Sequence, residues 1–332
     1  VELTFETGHT ESHAFDADGV LELTLPAGTW DVVEQEAPGY DTTSTGCAAI
    51  DLPPGGSATC IVTNTRRGTI EVVLDAVPDD PQDFAFTSAT LGDFVLDDDA
   101  DPALADTATF TDLVPGTYTA SQALPDGWDL ASIDCTDSDG SGVPSAGDTA
   151  TATATFELDP GETVTCTVTN TQLGTIIVEK VTDPPGDPAT FEFLADTSGT
   201  WGPLATIGHG ETIVVSDLAP REYHVSEVVP PGWDLAHTCS DGSPPSNIDL
   251  SLGETVTCTF TNTKRGTLTI EKVVVGDAAP DPTAFGVELT FETGHTESHA
   301  FDADGVLELT LPAGTWDVVE QEAPGYDTTS TG

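Results

Sequence analysis

Amines, carboxamides and carboxyls recur in this chain at fixed places in a repeated pattern. The sequence has only three lysines, and two of them, Lys180 and Lys272, each end a run of alternating apolar residues (Ile176, Val178, Lys180; Leu268, Ile270, Lys272). It has only four asparagines, and three of them, Asn64, Asn170 and Asn262, sit in a signature T-C-x-[VF]-T-N-T that occurs three times. A third run, aromatic-x-V-x-E, ends on Glu227, Glu34 and again Glu320. Two chemistries fit such a set. One is a buried Lys–Glu ion pair capped by Asn. The other is a spontaneous isopeptide bond, in which apolar surroundings lower the Lys pKa and raise the Glu pKa. A neutral amine then attacks the Asn side-chain carbonyl while the acid polarises it and shuttles protons as ammonia leaves.

The elements that must position these groups are strands. Side chains alternate faces along a strand, so residues two apart share a face. The opening runs place Ile176, Val178 and Lys180 together, the middle runs Tyr223, Val225 and Glu227, and the closing runs Cys258, Phe260 and Asn262. All three polar groups are predicted to face inward, where an unpaired charge is costly. A third copy of the pattern carries Leu74 at the Lys position, Gln122 at the Glu position and Asn170 unchanged. Lys and Glu are thus replaced together, as expected of groups that work as a unit, and this copy is expected to be unbonded.

Residues 1–46 and 287–332 are identical, which implies a tandem array with a period of 286 residues. Read cyclically, one period holds three modules. Residues 1–65 are the C-terminal part of module A, whose opening strand a preceding copy supplies. Residues 66–171 form module B, 172–263 module C, and 264–332 the N-terminal part of the next module A. Lys272 and Glu320 therefore lack their Asn within this stretch, and Glu34 and Asn64 lack their Lys. Neighbouring copies of the repeat are the expected partners. Short alternating runs, Gly/Pro/Asp turns and no helical period predict all-β sandwiches of roughly 90–105 residues.

With 58 acidic and 7 basic side chains the formal charge is −51. Such a surface repels nucleic acid and anionic membranes and suits solubility in salt. No run of about 18 apolar residues exists, so no membrane span is expected. The absence of an initiating Met or signal peptide reads as a window on something longer. Six cysteines fall two per module, and pairing within modules (Cys47–Cys60, Cys135–Cys166, Cys239–Cys258) implies an oxidising, extracellular setting. None has C-x-x-C spacing, which argues against zinc or redox chemistry. No cofactor is expected. Asp16-Ala17-Asp18-Gly19 resembles the start of a calcium loop, but D-G between alternating runs is hairpin-turn chemistry. Asp97-Asp98-Asp99 reads as a solvated loop. His9 and His13 have metal-like spacing only on a helix, which is not predicted here. Two-residue joints (Arg66-Arg67, Gln172-Leu173, Lys264-Arg265) separate the modules, and the basic ones are expected to pin neighbouring acidic faces.

The order of strand-Lys, G-x-[WY]-x-V-x-E, P-G-[YW] and a terminal [VF]-T-N-T resembles the Cna B-type, SpaA-like prealbumin domains of bacterial surface proteins and pilins. The resemblance covers essentially the whole chain and implies transthyretin-like β-sandwiches, self-catalysed isopeptide bonds and an elongated rod serving as a stalk or pilus shaft at the cell surface. Carried over by position, Lys180, Glu227 and Asn262 match in module C; Lys272, Glu34 (again Glu320) and Asn64 match in module A. Module B, the cysteine pairs and the acidity depart from the usual pattern, and no L-P-x-T-G-like sorting motif is present. The expected function is structural, an extracellular filament or stalk. The alternative is an adhesin gripping a ligand through the variable stretches 95–107 and 136–148. No nucleophile elbow, metal set or phosphate loop points to an enzyme acting on an external substrate.

Overall fold

A computed structural model describes residues 1–99, 101–138, 140, 142–196, 200–276, 281–321, 324–327 and 329. It divides into two compact units, Val1–Gln172 and Leu173–Gly332. The described residues form β-strands, with one 3-10 turn at Pro282–Ala284.

In the second unit, the stretch from Gly174 to Lys264 builds a two-sheet sandwich. One sheet runs in the order Thr212–Leu218, Gly174–Asp183, Thr255–Lys264, Trp233–Cys239. The other runs Trp201–Gly208, Thr190–Asp196, Arg221–Val228, Ile248–Leu250. The opening strand (Gly174–Asp183) and the closing strand (Thr255–Lys264) are parallel neighbours, with Val178 beside Cys258 and Lys180 beside Phe260. Alternate residues of both are buried, as period two requires. Phe191, Phe193, Tyr223, Ile248, Val256 and Phe260 fill the space between the sheets.

In the first unit, the stretch from Gly68 to Gln172 repeats this plan. Gly68–Val77 lies between Thr107–Leu113 and the closing strand Thr163–Gln172, which it pairs in parallel, with Leu74 beside Val168. A five-stranded sheet including Asp80–Thr87 and Gly116–Ala123 faces it, and Phe84, Phe86 and Phe156 sit between. An aromatic tip fastens the same turn in every copy. Tyr118 and Tyr223 donate from Oη to the carbonyls of Val114 and Ala219, both at 2.7 Å, and Trp30 and Trp316 donate from Nε1 to those of Pro26 and Pro312, both at 3.0 Å. Gly28 is required there, since at φ +144° a Cβ would stand 2.5 Å from the Phe5 ring.

The identical 46-residue stretches differ in structure. In the second unit Val306–Leu311 is a strand paired with Gly266–Glu271. In the first unit the same residues, Val20–Leu25, form no strand. There residues 1–66 make one four-stranded sheet (Thr10–Ser12, Glu2–Phe5, Gly28–Val33, Ile50–Leu52) and one pair, Tyr40–Thr45 with Ile61–Arg66.

Several expectations are corrected. The D-A-D-G stretch is an Asx turn, with Asp16 Oδ1 accepting from the Asp18 and Val20 amides at 3.0 and 2.8 Å. Its second copy joins strands of two different sheets, so it is not a hairpin. Asp97 and Asp98 belong to a strand, Phe94–Asp98, and Asp97 is buried, so this is no solvated loop. Burial pushes both carboxyls above the ordinary aspartate value. The variable stretches also contain strand at Ala146–Asp148, while residues 100, 139 and 141 lie outside those described. His9 and His13 lie on no helix, as expected. Three of the four joint cations fold back on carboxylates that precede them, Arg67 on Asp41 at 3.8 Å, Lys264 on Asp187 at 2.8 Å and Arg265 on Asp234 at 2.6 Å, whereas the Arg66 side chain lies against Gly161 of the sandwich that follows.

Candidate functional site

Parallel pairing of the opening and closing strands sets the geometry of the second unit's interior. Thr182 is in register with Asn262, so Lys180, two residues earlier, is Asn262's diagonal neighbour on the same face. The Lys180 ammonium donates to Asn262 Oδ1 at 2.8 Å, to the Val181 carbonyl at 2.7 Å and to the Phe260 carbonyl at 3.2 Å. Glu227 arrives from the opposite sheet on Arg221–Val228. Its Oε1 accepts from Asn262 Nδ2 at 2.5 Å, and its Oε2 lies 3.8 Å from Lys180 Nζ. One carboxyl therefore spans both nitrogens.

This set is sealed from water. Lys180 is 1% exposed and Asn262 0%. The Phe191 ring, also from the opposite sheet, lies 4.1 Å below Lys180 Nζ. Burial holds the Lys180 ammonium below the ordinary lysine value, opposed by the Glu227 charge. Burial likewise pushes Glu227 up, opposed by Lys180 and by the Asn262 hydrogen bond. Both shifts favour the uncharged pair, an amine beside a carboxylic acid.

The first unit's interior holds the corresponding Leu74, Gln122 and Asn170, all buried. Among the described residues, the side-chain amide atoms of Gln122 and Asn170 have no hydrogen-bond partner. Leaving such groups buried costs about 1–3 kcal/mol each.

Elsewhere the triad is divided. Near the start of the chain, Asn64 Nδ2 donates to Glu34 Oε1 at 2.9 Å, and its Oδ1 accepts from Thr42 Oγ1 at 2.7 Å. In the second unit Lys272 Nζ lies 2.5 Å from Glu320 Oε1 and 4.3 Å above the Phe285 ring. One half holds acid and amide, the other acid and amine. All three cysteine pairs are joined: Cys47–Cys60, Cys135–Cys166 and Cys239–Cys258. The last two link residues directly opposite on paired strands. Among the described residues no cluster of three or more His, Cys, Asp or Glu could hold a metal ion, and no helix is long and apolar enough to cross a membrane.

The aromatic floor of the site was not read from the sequence, although the F-x-F run Phe191-Glu192-Phe193 marks the strand that supplies it. Nothing in the sequence pointed to the backbone carbonyls that hold the ammonium.

Residues 70–172 and 197–264 each match a family model described as a prealbumin-like fold domain. The chain belongs to this family and carries its domains in tandem. Among solved structures it is similar to the Bacillus anthracis TIE protein at 17% identity and a TM-score of 0.30, covering 82% of this chain. It spans only 49% of that protein's length. It is also similar to the T-13 major pilin of Streptococcus pyogenes (14% identity, TM-score 0.25, covering 60% of this chain and 98% of that one). A third similarity is to the pilus adhesin SpaC of Lactobacillus rhamnosus GG (15% identity, TM-score 0.24, covering 82% of this chain and 38% of that one). Comparison with curated proteins finds no match.

Proposed function

We propose that this chain is a structural subunit of an extracellular surface stalk or filament, built of tandem β-sandwich modules and locked by autocatalytic Lys–Asn isopeptide bonds. The observation that carries this reading is the buried Lys180–Asn262–Glu227 set, which bridges the strand where the chain enters a module and the strand where it leaves. The Lys180 proton passes to Glu227, leaving a neutral amine. Nζ attacks Asn262 Cγ, Glu227 gives its proton to Nδ2 so that the Cγ–Nδ2 bond breaks and ammonia departs, and Glu227 takes up the second proton that Nζ sheds as the amide forms. One C–N bond forms and one breaks, with no outside reactant. Glu227 suits the transfer because its two oxygens face the two nitrogens. The product makes the entering and leaving strands continuous, so tension crosses the module without unzipping it. Disulfides between neighbouring strands serve the same end, and copies of the repeat are the natural partners. Outside the cell is where such disulfides persist.

Single-molecule pulling tests the reading. Lys180 and Asn262 are 82 residues apart, a segment that would stretch to about 27–30 nm. With the bond formed, wild-type protein should withhold that length, whereas Asn262→Ala should release most of it up to the remaining disulfide. A wild-type trace that releases the same length as the variant would refute the proposal.

A further inference from the structure

In the Gly68–Gln172 and Gly174–Lys264 sandwiches alike, a side chain receives the backbone amide two residues beyond the lysine position. In the second unit Lys180 N donates to the Glu211 carbonyl at 3.1 Å, and the Lys180 carbonyl accepts from Gly210 N at 2.8 Å. The next amide on that side, Thr182 N, donates instead to His209 Nδ1 at 2.9 Å. A backbone amide can only donate, so Nδ1 accepts and carries no proton there. Thr182 Oγ1, 3.1 Å from the same nitrogen, donates to the Pro184 carbonyl at 3.0 Å. In the first unit Leu74 N donates to the Asp106 carbonyl at 2.7 Å, and Ala76 N, two residues on, donates to Asp98 Oδ2 at 2.9 Å. His209 and Asp98 hold the same place in the fold. His209 directly follows Trp201–Gly208 and Asp98 ends Phe94–Asp98, each the edge strand of the facing sheet. The sandwich that contains Lys180 has an imidazole at this place; the one that contains Leu74 has a carboxyl.

We infer that His209 is a positioning residue for the Lys180–Asn262 bond, and that an imidazole stands here because it receives the Thr182 amide without setting a negative charge beside the amine. The inference rests on the isopeptide chemistry proposed above. Thr182 is the next inward residue after Lys180, is 1% exposed and is in register with Asn262. Holding its amide fixes the link between Lys180 and Thr182, which carries the Val181 carbonyl that accepts from Lys180 Nζ. Without an acceptor that amide is a buried donor left unpaired, and the strand end that bears the nucleophile loosens. An aspartate holds such an amide equally well, as Asp98 does. Beside Lys180, however, a carboxylate shielded from water would favour the ammonium over the amine that must attack. The carboxylates adjoining these residues in sequence, Asp183 and Glu211, are exposed, and Glu211 Oε2 accepts from the Gly208 amide at 2.7 Å. Leu74 has no proton to lose, so the first unit carries Asp98 without that penalty.

The test is the 332-residue chain made in a short cell-free pulse under oxidising conditions. Mass spectrometry follows the cross-linked peptide joining Lys180 to Asn262 against time, and circular dichroism follows folding. His209→Asn offers an oxygen where Nδ1 stands and no charge, His209→Asp offers the oxygen with a charge, and His209→Ala offers neither. The Asn variant should close within a few-fold of the wild-type rate, while the Asp and Ala variants close about tenfold more slowly or worse. Asp98→Asn, which changes the same place in the first unit, should leave the rate of this bond unchanged. The comparison of Asn with Asp decides, since both keep an acceptor for Thr182 and should fold. An Asp variant that closes as fast as the Asn variant would make His209 a structural cap only and overturn the inference. Equal rates in all chains, or an Asp variant that does not fold, overturn it as well. Each of those outcomes leaves the wild-type bond in place and the isopeptide reading intact. Wild-type chain that never forms the cross-link overturns both.

Discussion

Lys180 and Asn262 stand 2.8 Å apart, Nζ to Oδ1, although they are 82 residues apart in sequence. The contact follows from one register: parallel pairing sets Lys180 beside Phe260, so its side chain reaches diagonally to the next inward residue of the closing strand. Glu227 then completes the set from the facing sheet.

Glu227→Gln should leave Lys180 unbonded and give protein of full sequence mass, because the proton carrier is gone. In that variant Lys180 is a buried amine whose pKa lies below its unfolded value near 10.4. Between the two values the unfolded chain binds the extra proton, so stability should rise with pH toward the ordinary lysine range. Urea midpoints at pH 7 and pH 10 measure this. A midpoint that falls over that window would show that Lys180 is held charged.

The Leu74, Gln122, Asn170 set can be rearmed. Leu74→Lys alone should destabilise the sandwich by about 3–5 kcal/mol, since it buries an amine without an acid. Gln122→Glu alone should cost less, because a lone buried carboxyl stays protonated. The double change should lose one further ammonia and unfold at higher temperature than either single variant. An additive loss of stability with unchanged mass would mean that the three strands do not bring these groups within reach.

Reduction of the disulfides should lower the stability of each sandwich by about 3–4 kcal/mol. The largest effect is expected for Cys135–Cys166, which closes the longest loop, with a sequence separation of 31 against 19 and 13 for the others. Denaturant titration of Cys135→Ala/Cys166→Ala and Cys239→Ala/Cys258→Ala variants orders the contributions. Equal stability with and without the bonds would assign them no mechanical or thermodynamic role.

Much of the interior was legible because a strand repeats every two residues. Counting in twos from Ile176 leads to Lys180, and from Cys258 to Asn262, and both are buried. The same count identified Leu74, Gln122 and Asn170 as an inward set without a charge. Cysteines placed two per module sufficed for the pairing. The sequence could not say that opening and closing strands run parallel side by side, that Glu227 enters from the other sheet, or that Phe191 floors the site. Those are facts of non-local pairing. Asp97 shows the same limit, since a run of three aspartates reads as solvated until a neighbouring strand covers its first member.

The repeated stretch separates the two kinds of information most clearly. Val20–Leu25 and Val306–Leu311 have identical sequences and identical flanks on the N-terminal side as far back as Val1 and Val287, so their alternation and propensity are the same. Only Val306–Leu311 is a strand, and it is the copy whose backbone pairs with Gly266–Glu271. Sequence determined which residues would face a core and which groups could react there. Tertiary structure decided whether the strand existed at all, because a β-ladder satisfies its amides and carbonyls only through a partner.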